Sequence, residues 1–289
     1  MDYNKFINIL NKRIFQESKA DLVRKFAEHP HRYIGLFRPT KPKGKIIQNL
    51  TQSAEIKFGD AFEEILEIYF NDFDYTTLPR IYKTDGRKKY CLDQLFEKKD
   101  KIVFIEQKVR DDHDSTKKKG QIDNFIRKID ILQSEYPNKI IEANFYFIDD
   151  CLKKNRKYYQ EEIDKITKDY GLDCFLFYGE KLFERYQIDT WSEILKYLKN
   201  WKKSIPDMPE INFDIDADNS FQEISKLETL VFRKILNNDE IFKKMILTIS
   251  PEKKLLFLLL DFFKKEHKKT NKKIYDTLYG LLKNKLKIK

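Results

Sequence analysis

The chain has 289 residues, of which 41% are hydrophobic and 14% aromatic, and a formal net charge of +10. A chain with this length and apolar content can bury one large core or two of ordinary size, which excludes a disordered protein. The excess of Lys and Arg is typical of proteins that bind nucleic acid, although a solvated lysine-rich surface gives the same charge.

The sequence predicts no membrane association. No apolar run reaches the roughly 18 residues that a membrane helix needs, and the segment Leu255–Phe263 is interrupted by Asp261. Residues 1–15 are amphipathic and lack a cleavage site for secretion. The three cysteines are far apart in sequence and predict no disulfide framework. These features favour a cytoplasmic protein.

Helical and basic segments precede the first predicted strand. Residues 1–28 have the apolar period of helices. The segment His29–Ile46 is rich in proline and basic residues, and we expect a loop or short hairpin with a basic face. Residues Ser53–Phe70 predict a helix with one apolar stripe.

The next part of the chain predicts a mixed central β-sheet flanked by helices, of the α/β or α+β class. Short hairpins come first and helical crossovers later, which is typical of such a sheet. The predicted strands are Tyr75–Tyr82, Lys89–Phe96, Ile102–Lys108, Ile141–Ile148 and Asp173–Gly179. The predicted helices are Gly120–Glu135, Tyr158–Tyr170 and Glu180–Tyr186.

Composition changes after this part of the chain. Residues 205–219 are acidic and contain two prolines, and we expect a linker. Residues 220–289 predict a C-terminal basic helical region. Residues 1–204 would form the core domain with its N-terminal helical and basic segment. The C-terminal lysines have three interpretations: contacts with DNA phosphates, a helix pair in a dimer, or a solvated face.

Charged residues lie at the ends of two predicted strands that form a hairpin. A loop of four residues between them pairs Glu97 with Ile102. Continuing that register places Asp93 opposite Glu106. Side chains alternate along a strand, so Glu106 and Lys108 share one face. Burying these charges costs several kcal/mol unless they pair or bind a cation.

The charged hairpin has two interpretations. Two carboxylates suit Mg²⁺, and a neighbouring lysine would stabilise the charge of a phosphoryl transition state. Alternatively, the hairpin lies at a sheet edge and its charges form ordinary surface ion pairs. Glu106 directly follows the apolar run Ile102–Ile105, at the end of a predicted central strand, and this position favours an active site.

At these residues the chain resembles a known group. Asp93 with Glu106–Lys108 is similar to the PD-(D/E)XK nuclease motif, and the flanking sequence is similar to that of type II restriction endonucleases. Leu92 stands where the motif has proline, a position that varies in the group. Three further segments resemble parts of those enzymes: Ile56–Leu66, Val109–Gln121 and Phe175–Tyr186.

The resemblance implies a restriction-endonuclease-like core and a Mg²⁺-dependent enzyme that hydrolyses double-stranded DNA at specific sites. It also implies a homodimer and functional pairing with a DNA methyltransferase. Asp93 and Glu106 would bind the metal, with Lys108 as a catalytic residue. Glu63 would support the metal or its waters, and the main-chain carbonyl of Gln107 would complete the coordination.

A polar segment follows the motif and is predicted to be a loop up to residue 119. Its cations would meet DNA phosphates just past the metal site. These cations are Arg110, Lys117, Lys118 and Lys119. Gln121 opens the next predicted helix toward the DNA groove, where it would hydrogen-bond an active-site water.

Three other functions compete with a restriction enzyme. The first is another nuclease of the same superfamily, such as a repair or junction-resolving enzyme, and the basic loops around the core argue against it. The second is a non-catalytic DNA-binding protein on the same fold, against which the intact motif argues. The third is a lysine-rich helical interaction protein, which would not need a charged hairpin.

Overall fold

The structure is a computed structural model that describes residues 1–16, 18–83 and 89–288. Its packing divides the chain into two units. Unit 1 comprises Met1–Arg13 and Lys57–Ile205, and unit 2 comprises Ile14–Ile56 and Pro206–Lys289.

Unit 1 contains a mixed sheet, as predicted. The strands are β1 (Thr76–Thr77), β2 (Ile81–Lys83), β3 (Lys89–Cys91), β4 (Gln94–Lys98), β5 (Lys101–Lys108), β6 (Ile140–Phe147) and β7 (Asp173–Tyr178). The main sheet has five strands in the order β1-β4-β5-β6-β7, and β2 and β3 form a separate antiparallel pair. β1, β4 and β5 are antiparallel neighbours, whereas β5, β6 and β7 are parallel. The predicted fold class is therefore confirmed.

Helices account for most of the remaining chain. They are α1 (Tyr3–Phe15), α2 (Ser18–Glu28), α3 (His31–Ile34), α4 (Pro42–Asp72), α5 (Ser115–Glu135), α6 (Arg156–Tyr170), α7 (Glu180–Arg185), α8 (Trp191–Ser204), α9 (Ala217–Ile224), α10 (Thr229–Leu236), α11 (Asp239–Ile241), a π-helical turn (Phe242–Ile246), α12 (Leu247–Ile249), α13 (Lys254–Thr270) and α14 (Lys273–Leu286). Within the described ranges, none of these helices has the length and apolar character needed to span a membrane.

The main sheet of unit 1 is covered by helices on both faces. On one face the ring of Phe104 stacks on Phe125 of α5, and Phe145 stacks on Tyr159 of α6. These residues belong to one buried apolar cluster. On the other face, residues of α4 pack against the sheet, where the ring of Phe70 stacks on Phe96 at 4.5 Å. Strand β5 is therefore buried on both sides, as its continuous apolar run indicates.

Two predicted strands are interrupted. The prediction Tyr75–Tyr82 becomes β1 and β2, because Pro79 between them cannot donate to a strand ladder. The prediction Lys89–Phe96 becomes β3 and β4, and the chain leaves the ladder at Leu92 and Asp93.

Two predicted loops are partly helical. In the segment predicted as a loop or hairpin, His29–Ile46, the structure has α3 and the start of α4. Pro42 is the first residue of α4, a position where proline's missing N–H costs nothing. The loop predicted up to residue 119 ends earlier, because α5 begins at Ser115. Asp114 caps α5 by accepting a hydrogen bond from the Lys117 main-chain N–H at 2.9 Å.

Unit 2 has an all-helical apolar core that includes residues from both of its chain segments. Val23 and Phe26 of α2 belong to the same buried cluster as Phe232 of α10 and Phe263 of α13. Hence residues 14–56 pack with the C-terminal helices, a grouping that differs from the predicted boundaries. The predicted division into independently folding domains stays a prediction.

Part of the predicted linker 205–219 is packed within unit 2. Phe213 is buried, and Asp214 is 2% exposed. The Asp214 carboxylate accepts hydrogen bonds from Ser250 Oγ at 2.7 Å and from the main-chain N–H of Leu255 at 2.9 Å. The carboxylate thus joins this segment to the start of α13, which an acidic composition alone does not indicate.

A buried carboxylate lies on β6 of unit 1. Glu142 is fully buried and accepts hydrogen bonds from Lys101 Nζ, from Arg185 Nη2 at 2.8 Å and from the Tyr186 hydroxyl at 2.5 Å. Burial alone would raise the pKa of Glu142, but these hydrogen bonds outweigh burial and keep the pKa below its ordinary value. The network connects β5, β6 and α7.

We expect Glu142→Gln to lower the free energy of unfolding of unit 1 by about 3 kcal/mol at pH 7, because it leaves two cations without their buried counter-charge. The folded-state pKa is depressed, so this contribution is present above the unfolded pKa of about 4.3 and is lost as the pH falls through the folded pKa. Urea unfolding followed by tryptophan fluorescence measures the free energy of unfolding of unit 1, since both tryptophans, Trp191 and Trp201, lie in that unit.

The matched control is Glu161→Gln on α6. Glu161 is 56% exposed and 4.0 Å from Lys157. Loss of such a surface pair should change the unfolding free energy by less than about 1 kcal/mol. If Glu142→Gln were as stable as this control, the buried network would not stabilise the sheet.

Candidate active site

The two carboxylates of the predicted site lie side by side. Glu97 pairs with Ile102, as predicted, and Gln94 pairs with Ile105. Asp93 directly precedes β4, next to Glu106 near the end of β5. The Asp93 Oδ2 atom accepts a hydrogen bond from the Gln107 main-chain N–H at 3.0 Å, which fixes the carboxylate against β5.

The connection of this hairpin is shorter than predicted. Lys98 pairs with Lys101, so only Lys99 and Asp100 form the loop instead of four residues. Lys99 has a φ of 57°, as expected in the tight turns that connect twisted strands. The register is unchanged, because both connections pair the same residues.

Three oxygen atoms converge on the Lys108 ammonium group. Lys108 Nζ lies 2.9 Å from Asp93 Oδ2, 2.8 Å from Glu106 Oε1 and 2.7 Å from the Gln107 carbonyl oxygen. Two carboxylate oxygens and a main-chain carbonyl around one point are the ligand types that Mg²⁺ prefers. The arrangement of these residues therefore fits a divalent cation.

Gln107 contributes to this cluster through its main chain. Its side chain is buried and donates a hydrogen bond to the Gly59 carbonyl of α4 at 3.1 Å. Gln94 donates to the Glu63 carbonyl, one helical turn later, at 2.7 Å. The two glutamines thus fix the position of α4, and with it that of Glu63, relative to the sheet.

The electrostatics of the cluster favour its charged forms. Burial would raise the pKa of Asp93, but Lys108 and Lys128 outweigh burial and lower the pKa. Burial would likewise lower the pKa of Lys108, but Glu106 and Asp93 raise it above its ordinary value. Lys108 is therefore protonated at neutral pH and cannot act there as a general base.

Glu63 lies at the edge of the cluster. Burial, together with the negative charge of Asp93, raises the pKa of Glu63 to about 7. Arg80 opposes this shift: its Nη1 atom donates to Glu63 Oε2 at 3.1 Å and also to the Asp93 carbonyl oxygen at 2.5 Å. The structure thus brings Glu63 close to the predicted metal ligands, and Arg80 partly compensates its charge.

The predicted DNA-contacting lysines lie on the first turns of α5 rather than on a loop. Lys117 and Lys119 are exposed. Lys118 Nζ lies 4.3 Å from the centre of the Tyr158 ring. Arg110 precedes the helix, and its Nε atom is 3.9 Å from Asp112 Oδ2.

Gln121 is placed by a neighbouring helix. Its Oε1 atom accepts a hydrogen bond from the Tyr159 hydroxyl of α6 at 2.6 Å. This contact orients the side chain toward α6, so the predicted hydrogen bond to an active-site water would need the amide N–H.

Asp111 anchors the segment between β5 and α5. It is fully buried and accepts hydrogen bonds from the Asn155 side chain and from the Tyr178 hydroxyl, each at 2.9 Å. Asn155 also donates to the His113 carbonyl oxygen at 3.1 Å. This network fixes the approach to α5, in a segment for which the sequence predicts only a polar loop.

A buried lysine of α5, which the sequence did not predict as a site residue, also lies in the cluster. Lys128 Nζ lies 3.0 Å from Asp93 Oδ1 and 2.5 Å from Glu106 Oε2. Asn124, one turn earlier, is 3.5 Å from Glu106 Oε1. The one feature of the sequence that could have indicated this contact is the spacing of Asn124 and Lys128, which are four residues apart on one face of the helix, beside its apolar stripe.

A family model supplies the decisive comparison. The model of the HinfI type II restriction endonucleases matches residues 2–84 and 75–202. The chain belongs to this family. No curated protein and no solved structure shows significant similarity to the chain.

The family assigns the activity. Its members are type II restriction endonucleases, so the enzyme is a site-specific deoxyribonuclease that acts on double-stranded DNA. The mixed sheet flanked by helices is consistent with a restriction-endonuclease-like core. The matched region contains the whole cluster around Asp93, Glu106, Lys108 and Lys128.

Proposed function

We propose that the enzyme hydrolyses DNA phosphodiester bonds with Mg²⁺ bound by Asp93, Glu106 and the main-chain carbonyl of Gln107, as in a PD-(D/E)XK nuclease. The observation that carries the proposal is the convergence of these three oxygens within 2.9 Å of one ammonium group. When bound, Mg²⁺ would act as a Lewis acid on the scissile phosphate and on the attacking water.

The protein's own groups have separate tasks in this proposal. With Mg²⁺ held by the three oxygens, the protonated ammonium group of Lys108, whose side chain is 23% exposed, would turn to the scissile phosphate and stabilise the negative charge that develops on it. Glu63 is a further acidic group beside Asp93 that supports the metal or its waters. Main-chain and side-chain hydrogen bonds hold both carboxylates in place before the substrate arrives, which lowers the cost of reorganisation.

The basic residues around the start of α5 would bind DNA phosphates. Lys117 and Lys119 are exposed there, and Arg110 and Lys118 lie nearby. Asp114 already caps the N-terminus of α5, so phosphate recognition would depend on these side chains rather than on free main-chain N–H groups. Gln121 would add an amide contact at the same end of the helix.

The proposal includes two partners besides DNA. A homodimer with two-fold symmetry would present one active site to each strand of a symmetric DNA site. A DNA methyltransferase of the same specificity would protect the host DNA from cleavage.

Digestion of plasmid DNA tests the proposed chemistry. With MgCl₂ we expect discrete fragments whose ends, when sequenced, share one short motif. With EDTA in place of MgCl₂ we expect intact plasmid, since the carboxylates alone supply no Lewis acid. Equal cleavage in EDTA would overturn the metal-dependent mechanism, and random ends would contradict site specificity.

A further inference from the structure

Lys128 is buried between the two carboxylates of the active site. Only 4% of its side chain is exposed. Its ammonium group contacts one oxygen of Asp93 and one oxygen of Glu106, at 3.0 and 2.5 Å. Burial of a lysine is costly unless opposite charges compensate it, so these two contacts determine its position.

The charges of Asp93, Glu106, Lys108 and Lys128 cancel, and at the edge of the cluster Arg80 pairs with Glu63. Lys108 donates to Asp93 Oδ2 and Glu106 Oε1, whereas Lys128 donates to the other oxygen of each carboxylate. Two negative charges thus face two positive charges, and every carboxylate oxygen accepts a hydrogen bond from an ammonium group. A divalent cation must compete with these ammonium groups and adds positive charge to a neutral, partly buried cluster.

We propose that Lys128 is a positioning residue that makes metal binding depend on DNA. It orients Asp93 and Glu106 in the free enzyme and, by charge repulsion, keeps the affinity for a divalent cation low. A DNA phosphate at the cluster supplies the negative charge that the cation needs. Coupling between two ligands is reciprocal, so the metal must raise DNA affinity by the same factor. This inference rests on the proposed metal-dependent function.

The substitution Lys128→Met removes the charge and retains a side chain of similar length. Calorimetric titration with MgCl₂ in the absence of DNA is expected to show at least about tenfold tighter binding by the variant than by the unsubstituted enzyme, because one repulsive charge is gone. If Lys128 had only a structural role, its loss would misplace the metal ligands and Mg²⁺ affinity would fall instead of rising. Unchanged or weaker binding therefore overturns the inference.

A second readout is the effect of metal on DNA affinity. Binding of a cognate duplex is measured with and without CaCl₂, since Ca²⁺ also takes oxygen ligands. The increase in affinity caused by the ion should be at least about tenfold smaller in Lys128→Met than in the unsubstituted enzyme. An equal increase in both proteins would contradict the proposed coupling.

Three variants complete the design. Arg127→Met changes the exposed neighbour of Lys128 and should leave metal affinity unchanged. Lys128→Gln is also neutral, keeps a hydrogen-bond donor, and should show the same tightening if Lys128→Met fails to fold. Asp93→Ala should abolish metal binding. If Asp93→Ala binds metal like the unsubstituted enzyme, the proposed metal site is wrong. If Asp93→Ala loses metal binding but the Lys128 variants have unchanged metal affinity, only the proposed role of Lys128 is wrong.

Discussion

Replacement of Asp93 with alanine is expected to abolish DNA cleavage in MgCl₂, while DNA affinity measured in EDTA changes by less than about tenfold. Asp93 supplies one of the two carboxylates that converge on the proposed metal position. Loss of a metal ligand removes several kcal/mol of transition-state stabilisation, so the single-turnover rate should fall by at least about a thousandfold. DNA affinity should persist, because the proposed phosphate contacts come from the basic residues near the start of α5.

Two variants show whether the effect is local. Asp112→Ala removes an exposed carboxylate from the segment before α5, and we expect it to cleave at nearly the unsubstituted rate. Asp93→Asn preserves the shape of the side chain and should be as inactive as the alanine variant, with circular dichroism confirming the fold. Discrete fragments produced by Asp93→Ala in MgCl₂ would remove Asp93 from the catalytic site.

The hairpin of the site could be predicted because its signals are local. Strand alternation and the position of the apolar run Ile102–Ile105 determine which residues share a face, and the observed pairing of Glu97 with Ile102 follows from them. An error in loop length did not change that register. The same strand register predicts that Asp93 lies beside Glu106. The hydrogen bond from the Gln107 main-chain N–H to the Asp93 carboxylate agrees with that prediction.

The cations that complete the cluster could not be predicted because their contacts are non-local. Lys128 of α5 donates a hydrogen bond to Glu106 of β5, which is 22 residues away in sequence. Arg80, which lies between β1 and β2, donates to Glu63 of α4, which is 17 residues away. A polar residue on an amphipathic helix carries no signal for the strand residue that it faces. Only the crossover geometry of the folded chain brings such residues together.

The grouping of the N-terminal helices was missed for a similar reason. Periodicity identifies an apolar face on α2 but does not identify the element that covers it. Phe26 belongs to the core of unit 2, together with C-terminal residues such as Phe232. The chain passes from unit 1 to unit 2 between Ile205 and Pro206, within the segment 205–219 whose charge and proline content predict a linker.

The surroundings of Lys108 support its proposed catalytic role. Its ammonium group contacts three oxygen atoms of the cluster, and its side chain is only 23% exposed. The nearby carboxylates outweigh burial and raise the pKa of Lys108, so the group remains charged across neutral pH. A positive charge that persists at neutral pH is suited to stabilising a transition state rather than to abstracting a proton.

We therefore expect Lys108→Met to lower the single-turnover cleavage rate by at least about a hundredfold, since a preorganised electrostatic donor supplies roughly 3–4 kcal/mol in the transition state. The melting temperature should fall only moderately, because Lys128 still pairs with both carboxylates. The matched control, Lys119→Met on the exposed surface of α5, should weaken DNA binding and its salt dependence while the rate at saturating DNA is retained. A Lys108→Met enzyme that cleaves at close to the unsubstituted rate would reduce Lys108 to an ion-pair partner of Asp93 and Glu106.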